Sequence, residues 1–412
     1  MKLKRCILHI GAPKSGSSSI QSGLLNGKKT LKEGGVLYPG HRLNQQFLYS
    51  LFHPNPKTTA YNIALGHQTE NVIAEFHKQA VQQLDAEIEQ SDAHTILFSH
   101  EDLSTLPYRS VLSLAEFLKA RADTVEVYCY VRHPLSAAVS WSQQMIKTGR
   151  WRLKGLAQHK LFYDAEEYLP GFVQAFGREN LHVSAFEKAQ LRQGDVCLDF
   201  INKIGLRQET IEELRFSRIN ESLSIEGAIL SDALTELYPR ETEGSWNQER
   251  PIGLELTEIS GERFGLPRQL LKKVEADSKK SLDYIAKEFN VSLTAPSLDS
   301  LQNLPPRWGK ATSEAIARKI NNLTLQNNRQ KSEICYLRGL LLVEKGNPET
   351  ALEHLSRALV FSHSNFPALE LVIKLLQSKN AIQKTKLLVE QYAALNQNDE
   401  RFGALKKRVS QG

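Results

Sequence analysis

Apolar and polar positions along this chain follow two rhythms. The first is a set of short apolar runs: Cys6-Ile7-Leu8-His9-Ile10, Thr95-Ile96-Leu97-Phe98-Ser99, Val125 to Val131 and Leu181 to Phe186. Each is too short for a helix, so each predicts a buried strand. Val125 to Val131, rich in β-branched and aromatic residues, carries the clearest strand signal. The second rhythm is helical. Val72, Ile73, Phe76, Ala80, Val81 and Leu84 form one stripe over residues 72–89. Similar stripes predict helices after Ser19 and over 111–118, 136–147 and 196–204. Gly34 to Pro39 reads as a turn with a short edge element. Strands alternating with helices predict an α/β fold, a mainly parallel sheet of P-loop type with helices on both faces. Ligands of such sheets bind beyond the carboxyl ends of the strands. Three strand ends then converge on one edge: Gly11 to Ser19, Ser99 to Glu101, and Arg132 onward.

From Ser222 the pattern turns helical, with helices expected over 223–237 and 266–289. Pro296, Pro305 and Pro306 mark 292–309 as a linker. Beyond it, Gly339, Gly346, Ala351 and Ala358 lie at small-residue spacings that resemble a tetratricopeptide repeat beginning near Ser332. Asn347-Pro348 would cap its second helix, and 366–397 would be a degenerate second repeat. The expected division is an α/β domain over 1–305, mostly helical from 222 to 290, a linker or helix over 306–330, and a helical tail over 331–412. Two repeats rarely bury enough surface alone. The tail is therefore expected to pack on the main domain, on a partner protein or on a second copy. Residues 43–66, broken by Pro54 and Pro56, are either an insertion that binds an acceptor or a surface loop.

Length and composition narrow the class. The chain has 412 residues, enough for more than one domain, and a mild net charge of +6. That charge suits an enzyme handling anions, and without an Arg/Lys stripe it does not point to nucleic acid. No apolar stretch is long enough to span a membrane. The apolar run after the basic N-terminus is too short for a secretory signal. Cys6, Cys129, Cys197 and Cys335 are scattered, so they are expected to be buried free thiols rather than a metal site or disulfide framework. The expected location is the cytoplasm.

The chemistry concentrates at Gly11-Ala-Pro-Lys-Ser-Gly-Ser-Ser-Ser19. Strand, small-residue loop and helix make a phosphate cradle, because free backbone N–H groups and the helix dipole favour an anion there. The Walker A pattern G-x-x-x-x-G-K-[ST] fits at Gly11 and Gly16 but fails at Ser17, where the lysine should stand. The lysine comes earlier, at Lys14, where it can reach a single phosphate and whatever is attached to it. Pro13-Lys-Ser-Gly-Ser-Ser18 resembles the 5′-phosphosulfate loop of sulfotransferases that use 3′-phosphoadenosine 5′-phosphosulfate (PAPS). Tyr130-Val-Arg-His-Pro-Leu-Ser-Ala-Ala-Val-Ser140 resembles the same family's 3′-phosphate signature, with Arg132 after a strand and Ser140 in the next helix. The resemblance extends to Phe176-Gly-Arg-Glu-Asn-Leu181 and Arg218-Ile-Asn-Glu-Ser222, which look like common features of bacterial carbohydrate sulfotransferases. It covers roughly residues 5–289 and departs from the usual pattern in having serine where threonine is frequent after Gly16.

The resemblance implies transfer of a sulfuryl group from PAPS, without a metal, to a hydroxyl or amine of a carbohydrate or glycolipid. Lys14 would stabilise charge on the leaving phosphate. Backbone N–H groups of Ser15, Gly16, Ser17, Ser18 and Ser19, with the Ser17 and Ser18 hydroxyls, would hold the 5′-phosphate. Arg132 and Ser140 would hold the 3′-phosphate; Arg218 and Asn220 either close over the nucleotide or lie in a surface loop. Glu101 is the expected general base, with His100 the other candidate. His9 and His133 are expected to be structural. Two other classes stay open: a P-loop kinase or nucleotide hydrolase, and a non-catalytic nucleotide-binding scaffold with a peptide-binding repeat tail.

Overall fold

The computed structural model describes residues 2–40, 45–65, 67, 69–206, 222–242, 245–247, 249–250, 256–257, 259–303, 308–379 and 381–410. Five strands form one all-parallel sheet: β1 (Leu3–His9), β2 (Val36–Leu37), β3 (Thr95–Ser99), β4 (Ala122–Val131) and β5 (Leu181–Ala185). Their spatial order is β2-β3-β1-β4-β5, with His9 opposite Ser99 on one side and Tyr128 on the other. The helices woven between them are α1 (Ser17–Asn26), α2 (Lys28–Glu33), α3 (Gln46–Phe52), α4 (Ala60–Ala64), α5 (Glu70–Glu89), α6 (Tyr108–Lys119), α7 (Pro134–Lys147), α8 (Ala165–Phe176) and α9 (Val196–Lys203). The fold is therefore α/β, as the alternation of rhythms indicates.

The strands are apolar on both faces because both faces are covered. Ile7, Leu97, Tyr128 and Tyr130 pack with Ile20 and Leu24 of α1 and Phe200 and Ile201 of α9. Their neighbours Cys6, Leu8, Phe98, Val127 and Cys129 pack on the opposite face with Leu84 of α5, Val111 and Leu114 of α6, and Leu169 and Phe172 of α8. This period-two division fixes the register, since a one-residue slip would exchange the faces. The sheet's connections turn left after β1 and right after β4. The two adjacent strands thus flank a topological switch point, the place where open α/β sheets bind ligands.

A helical layer follows: α10 (Ile225–Leu237), α11 (Arg268–Asp277) and α12 (Lys279–Phe289). The single helix expected over 266–289 is two helices that meet at Ser278. The Ser278 side chain is fully buried there. Helix α8 was not expected, because Pro170 lies inside it. The tail comprises α13 (Lys310–Glu344), α14 (Pro348–Phe361), α15 (Phe366–Ser378), α16 (Ile382–Leu395) and α17 (Glu400–Ser410). The boundary expected near residue 331 falls inside α13, a continuous helix of 35 residues. Its first part packs Ala317 into a core shared with α7, α10 and α11, while Tyr336 and Val343 pack against the tail's own core. The expected cap is present: the Asn347 side chain accepts from Thr350 N–H at 3.3 Å, with Pro348 in the first turn.

All four cysteines are free thiols, with Cys335 half-buried rather than buried. Among the described residues, no helix is long and apolar enough to cross a membrane.

Candidate active site at the switch point of the sheet

The loop after β1 continues the ladder with β4 before it turns. Ile10 N–H donates to Tyr128 O at 2.9 Å and Ala12 N–H to Tyr130 O at 3.0 Å. The turn then closes on itself. Ser15 donates both its N–H (3.2 Å) and its buried hydroxyl (2.5 Å) to Ala12 O. Gly11 and Gly16 have φ of 25° and 90°. A Cβ at Gly11 would lie 2.5 Å from Ser17 Oγ and 3.0 Å from His9 Nε2; one at Gly16 would lie 2.8 Å from Phe186. Glycine is required at both positions by conformation and by space.

Three orphan donors remain at the start of α1. Ser19 N–H bonds Gly16 O at 3.1 Å, whereas the N–H groups of Gly16, Ser17 and Ser18 have no backbone acceptor among the described residues. Gly16 caps the helix with no side-chain bond. Ser17 Oγ is buried and has no hydrogen-bond partner among the described residues. Of the residues expected to hold a 5′-phosphate, Gly16, Ser17 and Ser18 therefore present unused N–H groups. Ser15 and Ser19 instead have theirs committed within the loop and helix.

Lys14 has a φ of 65°. Its Nζ donates to Gln144 Oε1 on α7 at 3.3 Å. Ser140 lies one turn earlier on that helix, half-buried and on the same face as Gln144. Arg132, at the end of β4, donates from Nη1 to Lys14 O at 3.3 Å, and its guanidinium sits 5.8 Å from the Phe186 ring centre. Burial, reinforced by the charge of Arg263, lowers its pKa. Neither arginine has an ion-pair partner among the described residues. Two neighbouring guanidiniums without a carboxylate are a site that an anion would relieve.

Glu101 opens a 3-10 turn directly after β3, placed by the bond from His100 N–H to His9 O at 3.0 Å. Desolvation, with a smaller contribution from the charge of Asp102, raises its pKa to about 7; the Lys14 charge and the Lys14 N–H, which bonds its carboxylate, act in the other direction. Lys14 and Glu101 are thus neighbours. His100 is directed elsewhere. It is buried, its Nδ1 accepts from Asp102 N–H at 3.1 Å, and its ring stacks on Tyr49 at 5.7 Å. His9 is fully buried against Ser99 Oγ at 2.7 Å, and burial lowers its pKa to about 3. His133 caps α7 by accepting from Leu135 N–H at 3.3 Å.

A cleft of about 330 Å³ opens on the β2 side, lined by Phe47, Tyr61, Phe76 and Leu84 with Gln45, Gln83 and Glu87 among its polar members. Gln45 ties it to the site's edge, accepting from Ser99 N–H at 2.7 Å. The described part of the 43–66 insertion therefore borders a concave surface beside the strand ends. Arg218 and Asn220 lie outside the described residues.

Two contributors were missed at the sequence level. Gln144 sits four residues after Ser140, a spacing that places both on one helix face and is the signal the sequence holds for it. Arg263 carries no local signal, because its segment is brought here by tertiary pairing with the start of α10: a bridge between Ser224 and Arg263 and the bond from Ile225 N–H to Glu262 O at 2.8 Å.

The Glu101 shift has a measurable consequence. A carboxyl whose folded pKa lies above its unfolded value stabilises the fold below about pH 4.5 and loses that contribution as pH rises to 7. Glu101→Gln removes this dependence. The variant is expected to gain about 1–3 kcal/mol over the native protein between pH 5 and 8. Chemical denaturation at both pH values reads the difference, and a pH-independent gap would remove Glu101 as a perturbed group.

Compared with protein-family models and with curated proteins, the chain matches none.

Proposed function

We propose that this protein is a sulfotransferase that moves a sulfuryl group from PAPS to a hydroxyl or amine of a carbohydrate or glycolipid. The observation that carries the reading is the meeting of Lys14, Glu101 and Arg132 at the β1–β4 switch point, around three orphan N–H groups. The donor fits these residues. Gly16, Ser17 and Ser18 would hold its 5′-phosphate, and Arg132 with Ser140 its 3′-phosphate; Arg263 adds a second cation beside Arg132. The bound donor supplies an activated sulfuryl group on a good leaving phosphate. Lys14 would neutralise charge developing at the bridging oxygen, where a positioned cation contributes most. Glu101, with a pKa near neutrality, is suited to take the acceptor's proton. The apolar and amide-lined cleft beside Gln45 is where an acceptor would lie.

The kinase or hydrolase alternative has one observation in its favour: Asp102 follows Glu101 at the end of β3, where a metal-holding carboxylate could stand. Against it, position 17, where the phosphate-reaching lysine of a nucleoside-triphosphate loop should stand, is a buried serine. Thermal-shift measurements with adenosine 3′,5′-bisphosphate and with ATP plus magnesium separate the two. Stabilisation is expected with the bisphosphate alone; a larger shift with ATP and magnesium would overturn the sulfotransferase reading.

A further inference from the structure

Seven large hydrophobic side chains are strongly exposed among the described residues, and four of them lie on α13: Leu323, Ile334, Leu337 and Leu341, each about half exposed. Their positions are not scattered. With Asn327 and Gln330 they complete the series 323, 327, 330, 334, 337, 341, alternating steps of four and three. That is a heptad seam, and at 1.5 Å per residue it runs about 27 Å along the helix. It lies on the side opposite the row that α13 buries, which includes Ala317, Asn321, Ser332 and Gly339. Both folded parts of the chain pack on that buried side. The seam faces away from them.

We propose that the partner of this seam is the α13 of a second copy of the chain, paired in parallel about a two-fold axis. The chemistry of the seam is self-complementary. Asn327, Ile334 and Leu341 fall at a positions with Leu323, Gln330 and Leu337 at d, and the β-branched Ile334 at a beside Leu337 at d is the combination that favours two strands. Asn327 falls at an a position, where an amide pair across the axis fixes register and strand number at some cost in stability. Glu333 occupies g and Arg338 the following e, the places that face each other across a parallel pair. Both are exposed, and neither forms an ion pair within the chain among the described residues. A two-fold pair repeats this Glu333–Arg338 contact on both sides. The inference does not depend on the sulfotransferase reading, since no residue of the candidate site takes part.

Sedimentation velocity on the full chain tests it over about 1–100 µM. A monomer–dimer equilibrium is expected, with Leu337→Asp weakening it about a hundredfold while circular dichroism and Tm stay unchanged, because Leu337 is half exposed in the single chain. Glu333→Arg and Arg338→Glu should each weaken the dimer, and the double exchange should restore it. Asn327→Cys should form a disulfide with its own counterpart only if the pairing is parallel. A chain that stays monomeric at 100 µM, or a dimer indifferent to Leu337→Asp, would overturn the proposal. A dimer that fails the charge exchange and the crosslink would overturn the parallel arrangement.

Discussion

Lys14→Ala is expected to lower turnover by about 10²–10³-fold while leaving the fold and most nucleotide affinity in place. The geometry explains why the two effects separate. The backbone of Lys14 carries structural bonds: its carbonyl accepts from Arg132, and its N–H bonds the Glu101 carboxylate. Those survive truncation of the side chain. What is lost is the Nζ charge and its bond to Gln144. A cation aimed at charge that develops only during reaction contributes to the transition state far more than to the ground state. The variant carries a second signature. The Lys14 charge holds the Glu101 pKa down, so its removal lets that pKa rise further. If Glu101 is the base, the acid limb of the rate profile moves to higher pH in Lys14→Ala and disappears in Glu101→Gln. Unchanged turnover in Lys14→Ala would exclude the side chain from the chemistry. A normal rate with an unmoved acid limb would also break the proposed link between the two residues.

How far the sequence discloses this arrangement depends on where each interaction is encoded. Thr95–Ser99 was legible to the residue, because a central parallel strand must be apolar on both faces and short. Helix α7 was legible in type and nearly in extent, since Pro134 at its first position and the apolar stripe after it agree. Helix α8 was hidden by Pro170, whose helix-breaking tendency is outweighed here by burial of Leu169 and Phe172 against the sheet. The continuity of α13 was hidden because the sequence changes character near Ser332. What changes is the core the helix packs against, while the helix itself continues.

The site divides in the same way. Gly11, Lys14 and Gly16 were readable because a tight turn before a helix has its own composition. Arg132 and Ser140 were readable because both belong to one strand–helix step. The perturbation of Glu101 was not, since it arises from burial and from Asp102 and Lys14 acting together in the folded chain. The approach of Arg263 to Arg132 is tertiary in the same sense. Those tertiary features give the site its electrostatic character: one carboxyl poised near neutrality, and two guanidiniums with no acid between them. The second of these sets the most decisive measurement on the nucleotide.

Adenosine 3′,5′-bisphosphate is expected to bind about a hundredfold to a few thousandfold more tightly than 5′-AMP. The two ligands share adenine, ribose and the 5′-phosphate, and differ only in the group assigned to Arg132 and Ser140. Hydrogen bonds to a charged group contribute about 1.5–3 kcal/mol each, so two that fall short of the upper value give about 3–5 kcal/mol. The structure adds a reason for the gap to lie toward the upper end. Arg132 is crowded by burial and by the charge of Arg263, and a 3′-phosphate would relieve both arginines at once. Arg132→Ala should close most of the gap and leave 5′-AMP almost unaffected. Among the described residues its one hydrogen bond to the loop is the long one to Lys14 O at 3.3 Å, so the cradle for the shared 5′-phosphate should persist. Arg263→Ala should close a smaller part of the gap, because Arg263 is exposed and partly screened by solvent. Raising the salt concentration should narrow the preference in the native protein and have little effect in Arg132→Ala. Titration calorimetry, with ionic strength matched within each comparison, reads the native protein and the two variants against both nucleotides on one scale. Equal affinity for the two nucleotides in the native protein would rule out a 3′-phosphate site at Arg132, and with it the PAPS reading of the whole cleft.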